Sequence, residues 1–121
     1  ITDDEMEQFD DIFRYMEFYT KKNDIHMMMY ANSAFHRHIY KTSHDRMLDK
    51  TLTTYFNYCK YSCPPNYFAP KFLDKTLEER RRIYSAYLKK DVTSGARAMK
   101  LHMSNTIKRA IANINLNIYE K

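Results

Sequence analysis

Turn-forming residues are nearly missing from this chain of 121 residues. It contains one glycine, Gly95, and three prolines that all lie between Pro64 and Pro70. Hairpins and tight turns depend on these two residue types, so the chain has little material from which to build them. Its apolar residues recur instead at steps of three and four, which is the spacing of an amphipathic helix. We therefore expect an all-α fold.

Size and charge narrow the classes of protein. The length and a hydrophobic content of 44% suit one domain over residues 1–121 with a substantial core. The net charge is +5, but the acids collect between Asp3 and Asp11, and no block of like charge is typical of a nucleic-acid arm. No run approaches the roughly 18 apolar residues of a membrane span, and the N-terminus lacks the features of a signal peptide. We expect a soluble, cytoplasmic protein without a membrane partner.

Capping residues divide the chain into helices. Asp24, Asp45 and Asp91 each stand just before an apolar stripe and are expected to cap a helix. Pro64–Pro65 should end the third helix, and the segment 66–74 is predicted to be a packed loop or a short helical turn. The result is an antiparallel bundle of five or six helices.

The apolar stripes also predict which side chains face the interior. On the third helix these are Leu48, Leu52, Tyr55, Phe56, Cys59 and Cys63. On the last helix they are Val92, Ala96, Met99, His102, Met103, Thr106, Ala110 and Ile114. The two cysteines have no further metal ligands near them in the sequence, so we expect buried or half-buried free thiols.

Polar side chains interrupt the stripes at four places. Asn32 and His36 stand four residues apart on one helix face, Arg80 lies on a second stripe, and His102 lies on a third. Burying a polar group costs free energy unless it finds a hydrogen-bond or charge partner in the interior. Four such groups therefore predict a cavity that they line and that serves as the functional site. The residues we expect to line it are Asn32, His36, Tyr55, Arg80, Tyr84, Met99 and His102. The alternative is that the histidines are satisfied core residues and that Arg80 pairs with an interior acid or reaches solvent.

Three stretches resemble the effector-binding C-terminal domain (FCD domain) of GntR-type bacterial transcription regulators of the FadR subfamily. N-S-A-F-H at 32–36 corresponds to D/N-x-x-F-H in that family, and D-R-M-L at 45–48 corresponds to N-x-x-L. From residue 79 onward the family reads E-H-x-x-I-x-x-A, then G-D, then A, M and a final H. This chain reads E-R-R-R-I-Y-S-A, then Lys90-Asp91, Ala98, Met99 and His102. The resemblance covers essentially the whole chain without a gap.

The resemblance implies an antiparallel bundle of six or seven helices with a central pocket. In such domains an aspartate and three histidines often hold a divalent metal that helps to bind a small carboxylate. The corresponding residues here are Asn32, His36, Arg80 and His102. An asparagine is a weaker ligand than a carboxylate, and Arg80 cannot coordinate a metal because it stays protonated. We expect no cofactor, with Arg80 gripping the effector carboxylate, although Asn32, His36 and His102 remain as ligands if Zn, Ni or Mn is still bound.

The function implied by the resemblance is that of a sensing module. It would form a homodimer, bind a small organic acid, and so modulate DNA binding by an N-terminal winged helix-turn-helix domain. We expect that domain, and the first helix of the family's bundle, to be missing from this chain. The sequence shows no nucleophile paired with a base, no glycine-rich phosphate loop and no carboxylate pair, so we expect no enzyme activity.

Three alternatives stay open. One is a metal-dependent enzyme or sensor that uses His36 and His102. Another is a bundle that only forms dimers, with the methionines at 27–29 and the many tyrosines packing its core and interface. A third is a long-chain acyl effector, because the methionine- and phenylalanine-rich interior suits an apolar tail.

Overall fold

The computed structural model describes residues 1–62 and 70–119, and it describes side chains over 1–58, 73–109 and 111–112. The described residues form five helices and no strand, which confirms the all-α prediction. The helices are α1 (Asp3–Lys21), α2 (Ile25–Lys41), α3 (Arg46–Ser62), α4 (Pro70–Leu88) and α5 (Val92–Tyr119).

The chain divides into two compact units, Ile1–Ser62 and Cys63–Lys121. In the first unit, α2 packs against both α1 and α3, and in the second unit α4 packs against α5. The single domain expected over residues 1–121 stays a prediction.

Side-chain caps start the helices where the sequence predicts them. Asp24, Asp45 and Asp91 each accept a hydrogen bond from the backbone N–H three residues further on, at 3.1, 3.0 and 3.1 Å. At the start of α1, Thr2 and Glu5 form a reciprocal capping box, with bonds of 2.8 and 3.2 Å. Each of these bonds satisfies a backbone donor that the first helical turn leaves without an internal partner.

Three helices end in residues with left-handed backbone conformations. Asn23, His44 and Lys90 have φ angles of 53°, 58° and 54°. After α1 and after α4, the next N–H along the chain bonds back across the turn, from Asp24 to Tyr19 O and from Asp91 to Ala86 O. These closed ends allow very short connections between neighbouring helices.

Buried apolar side chains form the core of each unit. In the first unit they come from one face of α1 and one face of α2: Phe9, Phe13, Met16, Met28, Ala31 and Phe35. In the second unit the described ones come from α4: Leu73, Ile83, Tyr84 and Ala86.

The predicted inward face of α3 is wrong in part. Leu48 and Tyr55 are 44% and 65% exposed, whereas Leu52 and Phe56 are half-buried. Each residue turns a helix by about 100°, so Tyr55 lies about 100° around the helix from Phe56, beyond the strip that faces α2. Cys59 and Cys63 lie outside the residues whose side chains are described.

Two further corrections concern the second unit. Val92, Ala96 and Met103 were expected to face inward on α5, but they are exposed; His102 is buried, and Met99 and Thr106 are half-buried. The covered strip of α5 is narrower than its apolar pattern because α4 covers one side of it. The segment predicted as a loop up to residue 74 is helical from Pro70, because proline is favoured in the first helical turn. Residues 66–69, Ala110 and Ile114 lie outside the side chains described.

Candidate functional site

Asn32 and His36 lie together on the buried face of α2, as predicted. They are 8% and 4% exposed. The His36 ring packs against Phe56 at 5.4 Å between ring centroids and meets Phe35 edge-on at 5.5 Å. The packing fixes the histidine ring between α2 and α3 within the first unit.

A second buried histidine on α2 has a structural role that the sequence did not indicate. His38 is 8% exposed, and its ring stacks near Phe9 at 5.3 Å. Its Nε2 lies 2.7 Å from the backbone carbonyl of Glu5, and because a carbonyl only accepts, Nε2 is the donor. His38 therefore ties α2 to the first turns of α1.

Arg80 and His102 are both buried in the second unit, at 2% exposure each. Arg80 belongs to α4 and His102 to α5. The prediction that both side chains turn away from solvent is confirmed. The charge of Arg80 helps to lower the His102 pKa, so the guanidinium lies within electrostatic reach of the imidazole.

The carboxylate of Glu79, the residue before Arg80, accepts hydrogen bonds from three side chains of α5. Its Oε1 accepts hydrogen bonds from His102 Nδ1 at 2.9 Å and from Arg109 Nη2 at 2.7 Å. Its Oε2 accepts from Asn105 Nδ2 at 2.8 Å and from Arg109 Nη1 at 3.0 Å. The Arg109 contact is the two-pronged arrangement in which a guanidinium binds a carboxylate best. We call Glu79, His102, Asn105 and Arg109 the Glu79 cluster.

Sequence reasoning missed most of this cluster. Glu79 stands in a run of charged residues that looks like a solvated helix face, and Asn105 and Arg109 were not singled out. One signal was present: His102, Asn105 and Arg109 follow one another at steps of three and four, so they share one stripe of α5. A polar stripe that starts from a buried histidine predicts a charged partner on the neighbouring helix.

The cluster shifts the pKa of both of its titrating members. Burial alone would raise the pKa of Glu79, but hydrogen bonds from Arg109, His102 and Asn105 outweigh it and lower the pKa from 4.5 to about 2. Burial lowers the pKa of His102 from 6.5 to about 4, with a further contribution from the Arg80 charge and an opposing one from Glu79. At neutral pH the cluster therefore contains an ionised Glu79 and a neutral His102.

The ionised Glu79 also sets the tautomer of His102. A carboxylate only accepts hydrogen bonds, so Nδ1 of His102 carries the ring proton. In a neutral imidazole the other nitrogen, Nε2, is then an acceptor. The site thus combines a permanent cation at Arg80 with an acceptor at His102.

The remaining residues expected to line the cavity have different surroundings. Tyr84 on α4 is 8% exposed and Met99 on α5 is half-buried, in agreement with the predicted stripes. Tyr55 is the exception, since its exposed ring does not face the interior of its unit. The ligand contacts assigned to these three residues stay predictions.

The donor set does not fit a divalent metal. Among the described residues, no three His, Cys, Asp or Glu side chains are grouped so that they could hold an ion. Arg80 stands where the family has a histidine ligand, and a guanidinium brings a positive charge and no lone pair. Asn32 replaces a carboxylate with a neutral amide. The four corresponding positions therefore do not supply the ligand set of the family's metal site.

Membrane insertion has no support in the described helices: none of them combines the length and the apolar content needed to cross a bilayer.

Comparison with known proteins gives one match. Residues 1–105 match the family described as the FCD domain, which spans all four positions of the predicted site. No curated protein and no solved structure matches the chain. The match covers well over half of the sequence and agrees with the five-helix, strand-free architecture of the described residues. The chain therefore belongs to the FCD domain family, the effector-binding and dimerisation domain of GntR-type regulators, which is a regulatory domain and not an enzyme.

Proposed function

We propose that this domain senses a small organic acid whose carboxylate binds at Arg80, beside His102. The observation that carries the proposal is the burial of a permanent cation and a neutral imidazole, at 2% exposure each, within the same pair of helices. A planar guanidinium binds a carboxylate through two parallel hydrogen bonds, and such bonds are stronger where water is excluded.

Charge in the second unit supports an anionic ligand. Arg80 and Arg109 are cations, Glu79 is an anion, and His102 is neutral, so these four groups together carry a net charge of +1. Glu79 already accepts four hydrogen bonds, one from His102, one from Asn105 and two from Arg109.

For Asn32 and His36, the support is their correspondence with ligand positions of the family and their burial on one face of α2. We propose that both contribute to effector binding, with Tyr84 and Met99 contacting the less polar part of the ligand. Tyr55 would take part only from an exposed position on α3.

Effector binding would act by shifting the equilibrium between alternative arrangements of the homodimer. A ligand that binds one arrangement of a homodimer more tightly than another favours that arrangement, and the difference in affinity limits the size of the effect. In a GntR-type regulator the arrangement that matters is the one in which winged helix-turn-helix domains hold DNA. We therefore propose a transcription regulator of the cytoplasm whose operator affinity the acid modulates.

Isothermal titration with small mono-, di- and tricarboxylic acids tests the proposal. At least one acid should bind, and Arg80→Gln should weaken it by roughly tenfold to a hundredfold, the range expected for losing a charged, two-pronged contact. Arg80→Lys keeps the charge but loses the two-pronged geometry. Its affinity for the acid should therefore fall between that of the parent and that of Arg80→Gln. Arg81→Gln is the matched control, since Arg81 is 41% exposed and bonds the exposed Glu78.

Two outcomes would overturn the effector site. One is that no acid binds; a tight dimer would then favour the dimerisation-only bundle. The other is that folded Arg80→Gln and Arg80→Lys bind as the parent does. Elemental analysis after exposure to Zn, Ni or Mn addresses the metal sensor separately, and stoichiometric metal bound by the parent and lost from His36→Gln or His102→Gln would favour it.

A further inference from the structure

A basic groove lies in the second unit, and no residue of the Glu79 cluster lines it. It has a volume of about 430 Å³ and runs between the last turns of α4 and the first turns of α5. Four cationic side chains line it: Arg81, Arg82, Lys89 and Arg97. Ala86 and Ala98 line it as well and give it an apolar part.

The groove also contains two acids, and both are engaged locally. Glu78 bonds Arg81 at 3.2 Å. Asp91 caps α5, and its carboxylate accepts hydrogen bonds from the backbone N–H and the hydroxyl of Ser94. Four cations and these two acids give the lining a net charge of +2. Because carboxylates interrupt the positive charge, the groove suits a partner whose few acidic side chains are spaced apart.

The outer face of α1 has the opposite charge. Asp4, Glu7 and Asp11 are exposed and follow one another at steps of three and four, so they form one stripe. The stripe continues into Tyr15 and Phe18, which are 59% and 53% exposed. It lies opposite the buried face of α1, which packs in the first unit. We call it the acidic stripe.

The aromatic end of the acidic stripe is organised on the surface. Tyr15 stacks on Tyr19 at 6.3 Å, and Phe18 meets Tyr19 edge-on at 5.3 Å. Lys22 lies over the Phe18 ring at 5.5 Å. Exposed tyrosines and phenylalanines held in place cost little entropy on binding and are typical anchors of protein interfaces.

We propose that the basic groove of one chain binds the acidic stripe of a second copy. The two surfaces match in charge, and each joins charged residues to an apolar part. They also match in length: at about 1.5 Å per residue, the acidic stripe spans roughly 20 Å and the groove roughly 15 Å. A twofold dimer would make this contact twice, since each copy brings both surfaces.

A second copy suits the groove better than DNA does. Phosphates follow one another closely along a duplex, and Glu78 and Asp91 would repel them. Ala86 and Ala98 offer nothing to a phosphate, whereas they can pack against an aromatic side chain. The inference rests on the homodimer of the proposed function and adds the surfaces that form it.

Charge reversal on each surface tests the contact in the full chain. A groove variant carries Arg82→Glu and Arg97→Glu, and a stripe variant carries Asp4→Lys and Asp11→Lys. In either homodimer both contacts then join like charges, so sedimentation equilibrium should show dimerisation at least tenfold weaker than in the parent. Arg37→Glu, an exposed arginine on α2 outside both surfaces, is the control and should dimerise as the parent does.

Mixing the two variants gives the decisive result. In a mixed dimer, the acidic stripe of the groove variant meets an unaltered basic groove, and the reversed stripe meets the reversed groove. Both contacts again join opposite charges, so the mixture should recover dimers, and parent dimers should weaken as NaCl is raised.

Four results would overturn the inference. One is that both variants dimerise as the parent does, which would leave a homodimer but place its interface elsewhere. Another is that folded variants stay monomeric when mixed. The third is a monomeric parent, and the fourth is a groove that binds a short DNA duplex which the groove variant no longer binds. Effector titration is independent of all four, so the acid site can fail or stand by itself.

Discussion

Glu79 accepts a hydrogen bond from Nδ1 of His102 at 2.9 Å, and this contact joins α4 to α5 next to the buried Arg80. The carboxylate keeps the proton on Nδ1 and leaves Nε2 as an acceptor. It does so while also holding Arg109, so one side chain both stabilises the helix pair and sets the chemistry of the proposed site.

Glu79→Gln should destabilise the protein far more than Glu78→Gln. Loss of the Glu79 charge leaves Arg109, whose side chain is 12% exposed, without the anion that compensates it. Breaking a pair of this kind should cost about 2–4 kcal/mol, somewhat less than the roughly 3–5 kcal/mol of a fully buried pair. Urea unfolding followed by circular dichroism measures the difference in the free energy of unfolding.

Glu78 is the matched control because it is the neighbouring residue of the same type. Its side chain is 57% exposed and it bonds Arg81 on the surface. Exposed pairs contribute about 0–1 kcal/mol, so Glu78→Gln should change little. Equal losses in the two variants would show that the Glu79 cluster does not hold α4 and α5 together.

Acid should weaken the fold in two steps. The His102 pKa falls from 6.5 to about 4 on folding, so between these values the unfolded chain binds a proton that the folded chain does not. The stability that depends on a neutral His102 is therefore fully present above pH 6.5. The free energy of unfolding falls by roughly 2–3 kcal/mol as the pH drops towards 4. Glu79, with a pKa of about 2 against 4.5, adds a second loss below pH 4.5. Urea midpoints measured from pH 7.5 down to pH 3 follow both steps.

His102→Gln separates the two steps. Its amide can still donate a hydrogen bond to Glu79 but does not titrate, so the loss between pH 6.5 and 4 should shrink while the loss below pH 4.5 remains. His26→Gln, a change at an exposed histidine of α2, should leave the profile as it is in the parent. An unchanged upper step in His102→Gln would assign that step to another group.

The sequence is a good guide to the helices and a poorer one to their faces. Caps such as Asp45 and Asp91 act through backbone atoms a few residues away, so local sequence suffices to place them. Which side of α3 is covered depends on a neighbouring helix. Tyr55 and Phe56 are both aromatic and adjacent, and only packing decides that Phe56 is the one half-buried.

The site shows the same division. Burial of Arg80 and His102 follows from their place on apolar stripes, and the sequence predicts it. The role of Glu79 does not follow, because an ion pair with Arg109 joins residues 30 positions apart. The polar stripe of α5 predicts that a charged partner lies on a neighbouring helix, but it does not identify that partner as Glu79.

Gly95→Ala should stabilise the protein by about 0.5–1 kcal/mol. Gly95 lies in the first turns of α5, where glycine costs conformational entropy that alanine does not. A Cβ at this position would lie 3.4 Å from the Cβ of Ala86, at the near edge of ordinary contact. Ala96→Gly, at the exposed neighbouring position, should lose about as much as Gly95→Ala gains.

Gly95→Leu supplies the opposite test at the same position. A Cβ at position 95 already lies 3.4 Å from the Cβ of Ala86, so we expect the longer leucine side chain to crowd α4 and thermal unfolding to occur at a lower temperature than in the parent. A gain for leucine as large as that for alanine would mean that α4 and α5 do not approach closely at Gly95.

Lys90→Gly should also stabilise the protein, by about 1 kcal/mol. Lys90 follows α4 with a φ of 54°, a conformation that costs a residue with a side chain about 1–2 kcal/mol and costs glycine almost nothing. Part of the gain is offset by the greater freedom of glycine in the unfolded chain, about 0.4–1 kcal/mol. The GntR-type pattern has glycine at this position, so the variant restores the residue that the turn favours. Thermal and urea unfolding measure the gain.

Two variants separate the backbone effect from the effect of charge. Lys90→Ala removes the exposed ammonium but keeps the left-handed strain, so its stability should stay close to that of the parent. Asn23→Gly alters the equivalent position after α1, where φ is 53°, and should gain less because asparagine adopts this conformation readily. If Lys90→Ala stabilises as much as Lys90→Gly, the lysine charge and not the backbone of this turn is the unfavourable element.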